Sequence, residues 1–195
     1  MLFRSRFFGL ESLSLNNEVV DCSYVKEPLG YWMFEAAGVP SMRTSFAQVY
    51  VDGDYYGLYV VVETPDDRYL HRSYADDNGN LYDGKYIWYG DYNYTLLDFT
   101  SGVDDLFQLE EGTEVANADI HAITEAVEAN YGRAGFYEEV GKVLDWDAYL
   151  HELAVEQLVG HNDGYALNTN NYRIYFDPED GKADMLPWDL DYAFL

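Results

Sequence analysis

Two short polar segments carry the side chains best suited to chemistry. In the first, Asp163 is followed by Asn168 and Asn171, and in the second, Asp189 and Asp191 follow a Pro-Trp pair. Carboxylate and amide oxygens suit Mg²⁺, which in proteins keeps phosphate oxygens and water among its ligands. The two segments therefore indicate a place where a divalent cation, Mg²⁺ or else Ca²⁺ or Mn²⁺, holds a phosphorylated molecule.

The first segment has the spacing of a protein-kinase catalytic loop. His161, Asp163 and Asn168 fit the pattern H-x-D-x-x-x-x-N. In that loop the Asp orients the attacking hydroxyl, the Asn holds magnesium, and a second Asp holds metal from the other side. The structural alternative is a turn at Asp163-Gly164 braced by asparagine side chains. The spacing favours phosphoryl transfer.

The chain between the two segments has the length of a hairpin. Residues 171–176 and 182–188 are expected to be strands joined by a tight turn. On a strand end, Asp189 and Asp191 would point to one face and could reach one ion, although they could instead cap a following helix. A hairpin here would bring Asp189 towards Asp163.

Three helices are predicted from apolar residues at helical spacing between capping residues. They run from Tyr24 to Ala37 between Ser23 and Gly38, from Ala118 to Asn130 after Asn117, and from Trp146 to Val159 between Asp145 and Gly160. The apolar positions expected along the first are Val25, Leu29, Trp32, Met33 and Ala36. Those expected to face inward in the third are Trp146, Tyr149, Leu150, Leu153 and Leu158. The first polar segment then begins where the third helix ends.

A β-hairpin is predicted nearer the start of the chain. Its strands are the apolar or alternating runs Phe46 to Val51 and Tyr55 to Glu63, joined by the strong turn signal Asp52-Gly53-Asp54. Glu63 closes a run of valines, so its carboxylate needs a cation or a hydrogen-bond donor. Residues 64–102 are rich in Asp, Asn, Gly and Tyr, which predicts ordered loops and edge strands.

Length and composition narrow the possible functions. A chain of 195 residues, 48% hydrophobic and 17% aromatic, fits one domain with one core. The 36 acidic against 11 basic residues give a formal net charge of −25, which repels nucleic acid and anionic membranes. We therefore expect no nucleic-acid partner. The acidity is either a solvated shell for saline or calcium-rich surroundings or a means of binding metal.

Disulfides and membrane spans are not expected. Cys22 is the single cysteine, and no segment approaches the roughly 20 apolar residues of a membrane span. The first residues lack the apolar run of a signal peptide. Because the chain stops at Leu195, directly after its acidic segment, we expect residues 1–195 to be one partial domain that continues further.

Several segments, taken in order, resemble the CotH (spore-coat protein H) kinase family over nearly the whole chain. They are Leu13 to Asn17 with Asp21, Gly38 to Pro40 with Arg43, Val49 to Tyr59 with Glu63, Gly79 to Tyr82, Asp163 with Asn171 to Tyr175, and Pro187 to Asp191. The resemblance implies an α+β, atypical protein-kinase-like fold of antiparallel β-hairpins and flanking helices. It also implies the use of ATP and Mg²⁺ to phosphorylate Ser or Thr of a protein substrate, typically among extracytoplasmic, cell-surface or spore-coat proteins.

The resemblance assigns roles to individual residues. Asp163 corresponds to the catalytic-loop aspartate and Asp189 to the metal-binding aspartate, with Asp191 as a further metal-side group. Asn171, in the family's N-Y-x-x-Y pattern, is one candidate for the metal-binding amide. Asn168, which has the kinase spacing, is the other.

Cofactor-binding residues are expected among the few cations. Arg43 and Lys85 are the candidates for contact with ATP phosphates, and Arg173 is a further cation, although each could instead form a structural ion pair. Glu63 is either a structural partner or a cofactor-site residue. The first hairpin lacks the G-x-G-x-x-G loop of ordinary kinases.

One departure from the family supports a second hypothesis. Glu110 stands about where the family often has a lysine, and lysines are scarce throughout. The alternative function is a catalytically inactive kinase-like scaffold or binding module of a surface or coat protein. A third hypothesis is a kinase whose acceptor is a small molecule or a glycan.

Overall fold

The computed structural model describes residues 12–88 and 94–194. The helices are α1 (Lys26–Ala36), α2 (Asp67–Ser73), α3 (Ala118–Asn130), α4 (Phe136–Val140), α5 (Trp146–Val159) and α6 (Tyr165–Asn168), with 3₁₀ turns at Asp104–Leu106 and Leu190–Tyr192. The strands are β1 (Ser14–Asn16), β2 (Thr44–Val51), β3 (Asp54–Val62), β4 (Asn80–Gly84), β5 (Tyr86–Trp88), β6 (Tyr94–Leu96), β7 (Gln108–Glu111), β8 (Tyr172–Asp177) and β9 (Lys182–Pro187). The architecture is α+β, as predicted. Within the described ranges, no helix combines the length and apolar character needed to cross a bilayer.

Within the described residues, the strands form three sheets in which every strand pair is antiparallel. Their orders are β1-β3-β2, β7-β4-β8-β9 and β5-β6. The predicted hairpin β2–β3 is confirmed, and Gly53 in its turn has a φ of 94°, which a side chain would disfavour. The predicted pair β8–β9 is also confirmed. Its register sets Tyr172 opposite Pro187, so the residues that follow β9 lie beside those that precede β8.

The described residues contain two apolar clusters, which fill the interior. The first joins α1, the three-stranded sheet, α5 and the 3₁₀ turn after β9, with Phe34, Val60, Val159, Leu186 and Leu190 among its buried members. The second packs α3 and α4 on the four-stranded sheet, with Tyr82, Ile120, Ile123, Tyr172 and Met185 among its buried members. At Gly30, a Cβ atom would lie 2.8 Å from Leu190 Cδ1. The glycine therefore lets α1 pack directly on the turn that follows Asp189.

The first helix differs from its prediction in both its cap and its buried face. Asp21 accepts hydrogen bonds from Val25 N and Lys26 N, each at 3.0 Å, whereas Ser23 Oγ accepts only from Val25 N, at 3.5 Å. The helix begins at Lys26, later than predicted. Trp32 is 61% exposed, whereas the helix buries Gly30, Tyr31 and Phe34 in the core. The buried face follows the contact with the 3₁₀ turn, which the helical spacing of large apolar residues does not encode.

The prediction of loops and edge strands for residues 64–102 was wrong in two places. Asp66 caps a short helix, α2, by accepting hydrogen bonds from Arg68 N and Tyr69 N. β4 is a central strand, flanked by β7 and β8, and its Leu81 and Tyr82 are fully buried. A strand buried on both faces lacks the alternation by which an exposed strand is found.

The other two predicted helices are confirmed in their bounds, α3 at Ala118–Asn130 and α5 at Trp146–Val159. The prediction of the inward face of α5 was partly wrong, because Leu150 and Leu158 are 53% and 72% exposed. Two glutamates, Glu152 and Glu156, are buried in their place. Hydrophobic patterns do not assign carboxylates to a core. The expectations about residues 1–11 and 195 lie outside the described ranges.

Candidate functional site

Asp163 stands at the centre of a ring of asparagine side chains. It lies between the end of α5 at Gly160 and the start of α6. Asn168 Nδ2 donates to Asp163 Oδ1, while Asn170 Nδ2 and Asn171 Nδ2 donate to Oδ2 at 3.2 and 2.9 Å. Both carboxylate oxygens are therefore oriented by the loop itself.

The same hydrogen bonds determine which amide oxygens remain available. Asn170 Oδ1 accepts from Tyr86 N at 3.1 Å, which ties the loop to β5. Asn168 Oδ1 and Asn171 Oδ1 accept no hydrogen bond from any residue that the structure describes. Since the nitrogen of each amide is held on Asp163, both oxygens can face a cation, and both asparagines stay candidates for a metal ligand.

Asp189 and Asp191 do not lie on a strand, contrary to the prediction. β9 ends at Pro187, Asp189 has a left-handed φ of 50°, and Asp191 lies in the 3₁₀ turn. Two contacts hold this segment against the asparagine loop. Trp188 N donates to Asn171 O at 3.1 Å, and His161 Nε2 lies 3.2 Å from Trp188 O.

The imidazole of His161 is neutral. It is 1% exposed, and burial lowers its pKa to about 4. Because the carbonyl oxygen of Trp188 can only accept, Nε2 carries the proton and donates it. The sequence pattern drew attention to His161 only as a polar neighbour, but its position makes it a direct link between the segments of Asp163 and Asp189.

A buried glutamate holds the loop through a hydrogen bond to its backbone. Glu156 is fully buried, and its Oε1 accepts from Ala166 N at 3.1 Å, at the start of α6. Burial raises the pKa of Glu156 to about 7. At Gly164, a Cβ atom would lie 2.0 Å from Glu156 Oε1 and 2.5 Å from His161 Cδ2. A glycine is therefore required at position 164 by this close approach, and no sequence pattern indicated that Glu156 would be its partner.

An acidic cavity of about 230 Å³ lies on the Asp189 side. Its polar lining residues are Ser14, Asn16, Glu27, Asp189 and Asp191, and no lysine or arginine of the described chain lines it. Burial, followed by a hydrogen bond with Glu18, raises the pKa of Glu27 to about 9. The cavity thus gathers carboxylates without a built-in cation.

The carboxylates of this cavity act on one another and on Asp163. Burial and then the negative charge of Asp163 raise the pKa of Asp189, while the positive charge of Arg173 lowers it. Burial raises the pKa of Asp191 to about 7, and the charges of Asp189, Glu18 and Asp163 add to the rise. The structure therefore brings Asp163, Asp189 and Asp191 into one electrostatic neighbourhood.

Asp163 also borders a second cavity of about 230 Å³. Its other lining residues are Asn168 and the aromatic side chains Tyr86, Trp88 and Tyr94. The rings of Trp88 and Tyr94 lie 5.3 Å apart and both are exposed. One aspartate thus faces an aromatic cleft, whereas the other faces an acidic one.

Arg43 and Glu63 come together, but at a third cavity that neither Asp163 nor Asp189 lines. Glu63 Oε1 receives Arg43 Nη2 at 2.5 Å, and Glu63 Oε2 receives Arg72 Nη2 at 2.8 Å. Burial alone would raise the pKa of Glu63, but these hydrogen bonds lower it below its ordinary value. The cation partner that the sequence required for Glu63 is present.

Lys85 and Arg173 share one carboxylate. Lys85 Nζ lies 2.6 Å from Asp83 Oδ2, and the buried Arg173 forms an ion pair with Asp83 Oδ1. The guanidinium carbon of Arg173 lies 4.7 Å from the ring centroid of Trp188, next to Asp189. Arg173 therefore approaches the carboxylate site from β8 and acts electrostatically on Asp189, whereas the contacts of Lys85 are with Asp83 and Gln108.

A separate cluster also has metal-ligand geometry. One ligand atom from each of Asp104, Asp105 and His121 lies within 4.8 Å of the others. His121 Nε2 is 2.9 Å from Asp105 Oδ1, so an ion pair accounts for part of this arrangement. Sequence spacing did not connect these residues, because the 3₁₀ turn and α3 meet only in the fold.

Comparison with known proteins identifies the family of this chain. A protein-family model described as CotH kinase protein matches residues 3–195. The inner spore coat protein H of Bacillus subtilis (strain 168) is 27% identical over 190 residues, which are 95% of this chain and 50% of that protein. The chain thus spans about half the length of this relative. Membership of the family suggests a kinase-like function, and, as the resemblance predicted, the chain belongs to the CotH kinase protein family.

Proposed function

We propose that this protein transfers the γ-phosphoryl group of ATP to Ser or Thr of a protein substrate in a Mg²⁺-dependent reaction. One observation carries the proposal. Two carboxylates from separate segments, Asp163 and Asp189, are held in one electrostatic neighbourhood by the contacts of Trp188 with His161 and Asn171. Catalysis of phosphoryl transfer is largely positioning and charge stabilisation, which such an arrangement can supply.

The residues on the Asp189 side fit a divalent cation. Asp189 and Asp191 line a cavity without a lysine or arginine among the described residues, and burial raises the pKa of both carboxyls. A hard cation such as Mg²⁺, or Mn²⁺ or Ca²⁺ in its place, would neutralise them. Asn171 or Asn168 would add an amide oxygen. The metal would supply charge neutralisation for the phosphates of ATP.

Asp163 suits the role of orienting the acceptor hydroxyl. Its carboxylate is held by three asparagine side chains, and it borders the cleft of Tyr86, Trp88 and Tyr94. A Ser or Thr side chain entering this cleft could donate its hydroxyl proton to Asp163 as a hydrogen bond. The aromatic walls would hold the neighbouring part of the substrate chain.

Lys85 and Arg173 are the cations we propose for the phosphate side. Both pair with Asp83, and Arg173 acts electrostatically on Asp189. Arg43 remains a candidate, since its side chain is 65% exposed despite the ion pair with Glu63. In this proposal Glu63 contributes to the cofactor site by fixing Arg43.

Association with a spore coat or another extracytoplasmic surface is part of the proposal. It rests on the family and on the relative, which is named an inner spore coat protein. Because the chain spans about half of that relative, the activity proposed here concerns this domain.

Transfer of label from ATP tests the proposal. The protein is incubated with γ-labelled ATP, Mg²⁺ and a library of Ser- and Thr-containing peptides, beside Asp163→Ala and Asp189→Ala. Each variant should lose at least about 100-fold in incorporation, because it removes hydroxyl orientation or a metal ligand. The matched control Glu179→Ala, an exposed carboxylate in the turn between β8 and β9, should retain it. Equal incorporation in all four proteins would refute the assignment.

The inactive scaffold is the second candidate, and one observation favours it. Glu110 adds its negative charge to the surroundings of Arg173, where phosphates would need positive charge. A scaffold of this kind would bind Mg²⁺ and nucleotide without incorporation of label. A thermal shift with Mg²⁺-ATP, combined with absent transfer to any peptide, would select it.

A further inference from the structure

A cavity of about 310 Å³ lies beside α5 and shares no lining residue with the cavities of Asp163 and Asp189. Its volume is within the range of small-molecule sites, which starts at about 300 Å³. Several of its walls, among them Phe99 and Tyr149, are only partly buried, so the cavity opens to solvent. Nothing in the proposed phosphoryl transfer uses it.

Aromatic rings form much of the wall, beside aliphatic side chains. They belong to Phe99, Phe136, Trp146, Tyr149 and Tyr165. The planes of Trp146 and Tyr149 stand at 72° to each other, and those of Tyr149 and Tyr165 stand at 77°. Rings at such angles enclose a space from several sides, whereas parallel rings would fill it by stacking.

One carboxylate stands among these rings. Asp98 Oδ1 accepts from Phe99 N at 2.8 Å and from Tyr165 Oη at 3.0 Å, which fixes the side chain in the wall. Asp98 Oδ2 accepts no hydrogen bond from any residue within 12–88 and 94–194. No lysine or arginine in those ranges lines the cavity. The cavity therefore presents a negative charge without a counter-ion.

The tyrosine that α5 contributes to the wall adds no positive charge. Burial raises the pKa of the Tyr149 phenol, and neighbouring carboxyl groups, Asp98 among them, raise it further. The tyrosine hydroxyls consequently stay neutral at physiological pH, and an anion entering the cavity would be repelled. A positively charged occupant is favoured.

We propose that this cavity binds a small organic ammonium ion of the trimethylammonium class. Aromatic faces attract such a cation through their quadrupoles, and Asp98 supplies the counter-charge. An alkylated ammonium carries its charge inside an apolar shell, so it can enter an apolar cavity at a lower cost of dehydration than a primary ammonium. This inference goes beyond phosphoryl transfer and does not depend on it.

Choline and neohexanol provide a matched pair of probes. Neohexanol has the same shape but replaces the trimethylammonium group with an uncharged tert-butyl group. In titration calorimetry the protein should bind choline at least about tenfold more tightly than neohexanol. The indole N–H of Trp146, which donates to Tyr137 O at 2.8 Å, should shift in NMR spectra on addition of choline, whereas that of Trp32 should not.

Two variants separate charge from shape. Asp98→Asn keeps the acceptor oxygen for Phe99 N and Tyr165 but removes the charge, so choline affinity should fall at least about tenfold while neohexanol affinity stays within about twofold. Retained neohexanol binding also shows that the cavity is intact. Glu179→Gln, which removes an exposed carboxylate elsewhere, should change neither affinity.

Three outcomes would overturn the proposal. Equal affinity for the two probes would make the site an apolar cavity without preference for charge. Binding of neither probe would remove the site altogether. Choline affinity that survives Asp98→Asn would mean that the cation binds elsewhere. None of these results involves ATP, so failure here leaves the phosphoryl-transfer proposal unaffected.

Discussion

Glu63 and Asp189 each follow a strand, yet the charges that lie around their carboxylates differ in sign. Glu63 is held between Arg43 and Arg72, whose hydrogen bonds outweigh burial and lower its pKa. Asp189 has a raised pKa, first from burial and then from the charge of Asp163. A carboxylate that is ion-paired within the fold stabilises that fold. Asp189 is near enough to Arg173 for its pKa to be lowered, but it forms no ion pair among the described residues, so it needs a proton or a dissolved ion.

Substitutions of Glu63 and Asp189 should differ most in their effect on the binding of Mg²⁺-ATP. Asp189→Asn should weaken it by about 100-fold, because an anionic metal ligand is lost. Glu63→Gln should weaken it by less than about threefold, because the exposed Arg43 keeps its charge in solvent. Titration calorimetry measures both. Equal losses would place Glu63 directly at the phosphates.

Carboxylates without a cation should also make the fold less stable as the pH rises. The pKa of Glu156 is about 7 in the folded protein, raised by burial from 4.5. The folded state therefore holds this proton more tightly than the unfolded state. The resulting contribution, about 3 kcal/mol, is full below the unfolded pKa and is lost as the pH rises through the folded one.

Urea denaturation between about pH 5 and pH 8 checks this dependence. Glu156→Gln keeps an acceptor for Ala166 N, so the variant should lose less stability over that range than the wild type. Glu179→Gln, at an exposed turn, is the matched control and should follow the wild type. A slope that Glu156→Gln leaves unchanged would contradict the assigned shift.

The ion pairs of Glu63 with Arg43 and Arg72 should stabilise the fold. Glu63→Gln is expected to lower the free energy of unfolding by about 2 kcal/mol, because two charged hydrogen bonds are lost. The loss stays below that of a fully buried pair, since the Arg43 and Arg72 side chains are 65% and 33% exposed and regain water. Urea titration at neutral pH measures it. A loss no larger than that of Glu179→Gln would show that the pair is weak.

The smallest expected effect is a gain in stability. In metal-free buffer at neutral pH, Asp189→Asn should raise the free energy of unfolding by about 1 kcal/mol, because a charge among carboxylates is removed. Asparagine tolerates the left-handed φ of 50° at this position. The same urea titration decides the sign. A destabilised Asp189→Asn would mean that the fold already neutralises Asp189.

Sequence signals predicted those elements whose stabilising contacts are local. Asp145 caps α5 by accepting from Asp147 N and Ala148 N, only two and three residues away, and Gly160 ends the helix with a φ of 61°. The turn at Gly53 is equally local. These positions could be named because the interacting groups are neighbours in the chain.

The same signals were insufficient where the partner is distant. The cap of α1 is Asp21 rather than the nearer Ser23, and its buried face is set by Leu190 against Gly30. The spacing of Asp163 and Asp189 pointed to a common site, but nothing in it indicated that His161 would bridge to Trp188. Such contacts depend on how β8 and β9 pair.

The two polar segments, their order, the hairpins and the family could be predicted from the sequence, because residue type, spacing and turn chemistry are local properties. Which carboxylates are paired with a cation depended on contacts between distant parts of the chain. Glu63 forms an ion pair with Arg72 of α2. Asp189 and Asp191 instead line a cavity with Glu27 of α1, and no lysine or arginine among the described residues lines that cavity. The reason is that the cost of burying a charge is set by neighbours in space, which the order of residues does not specify.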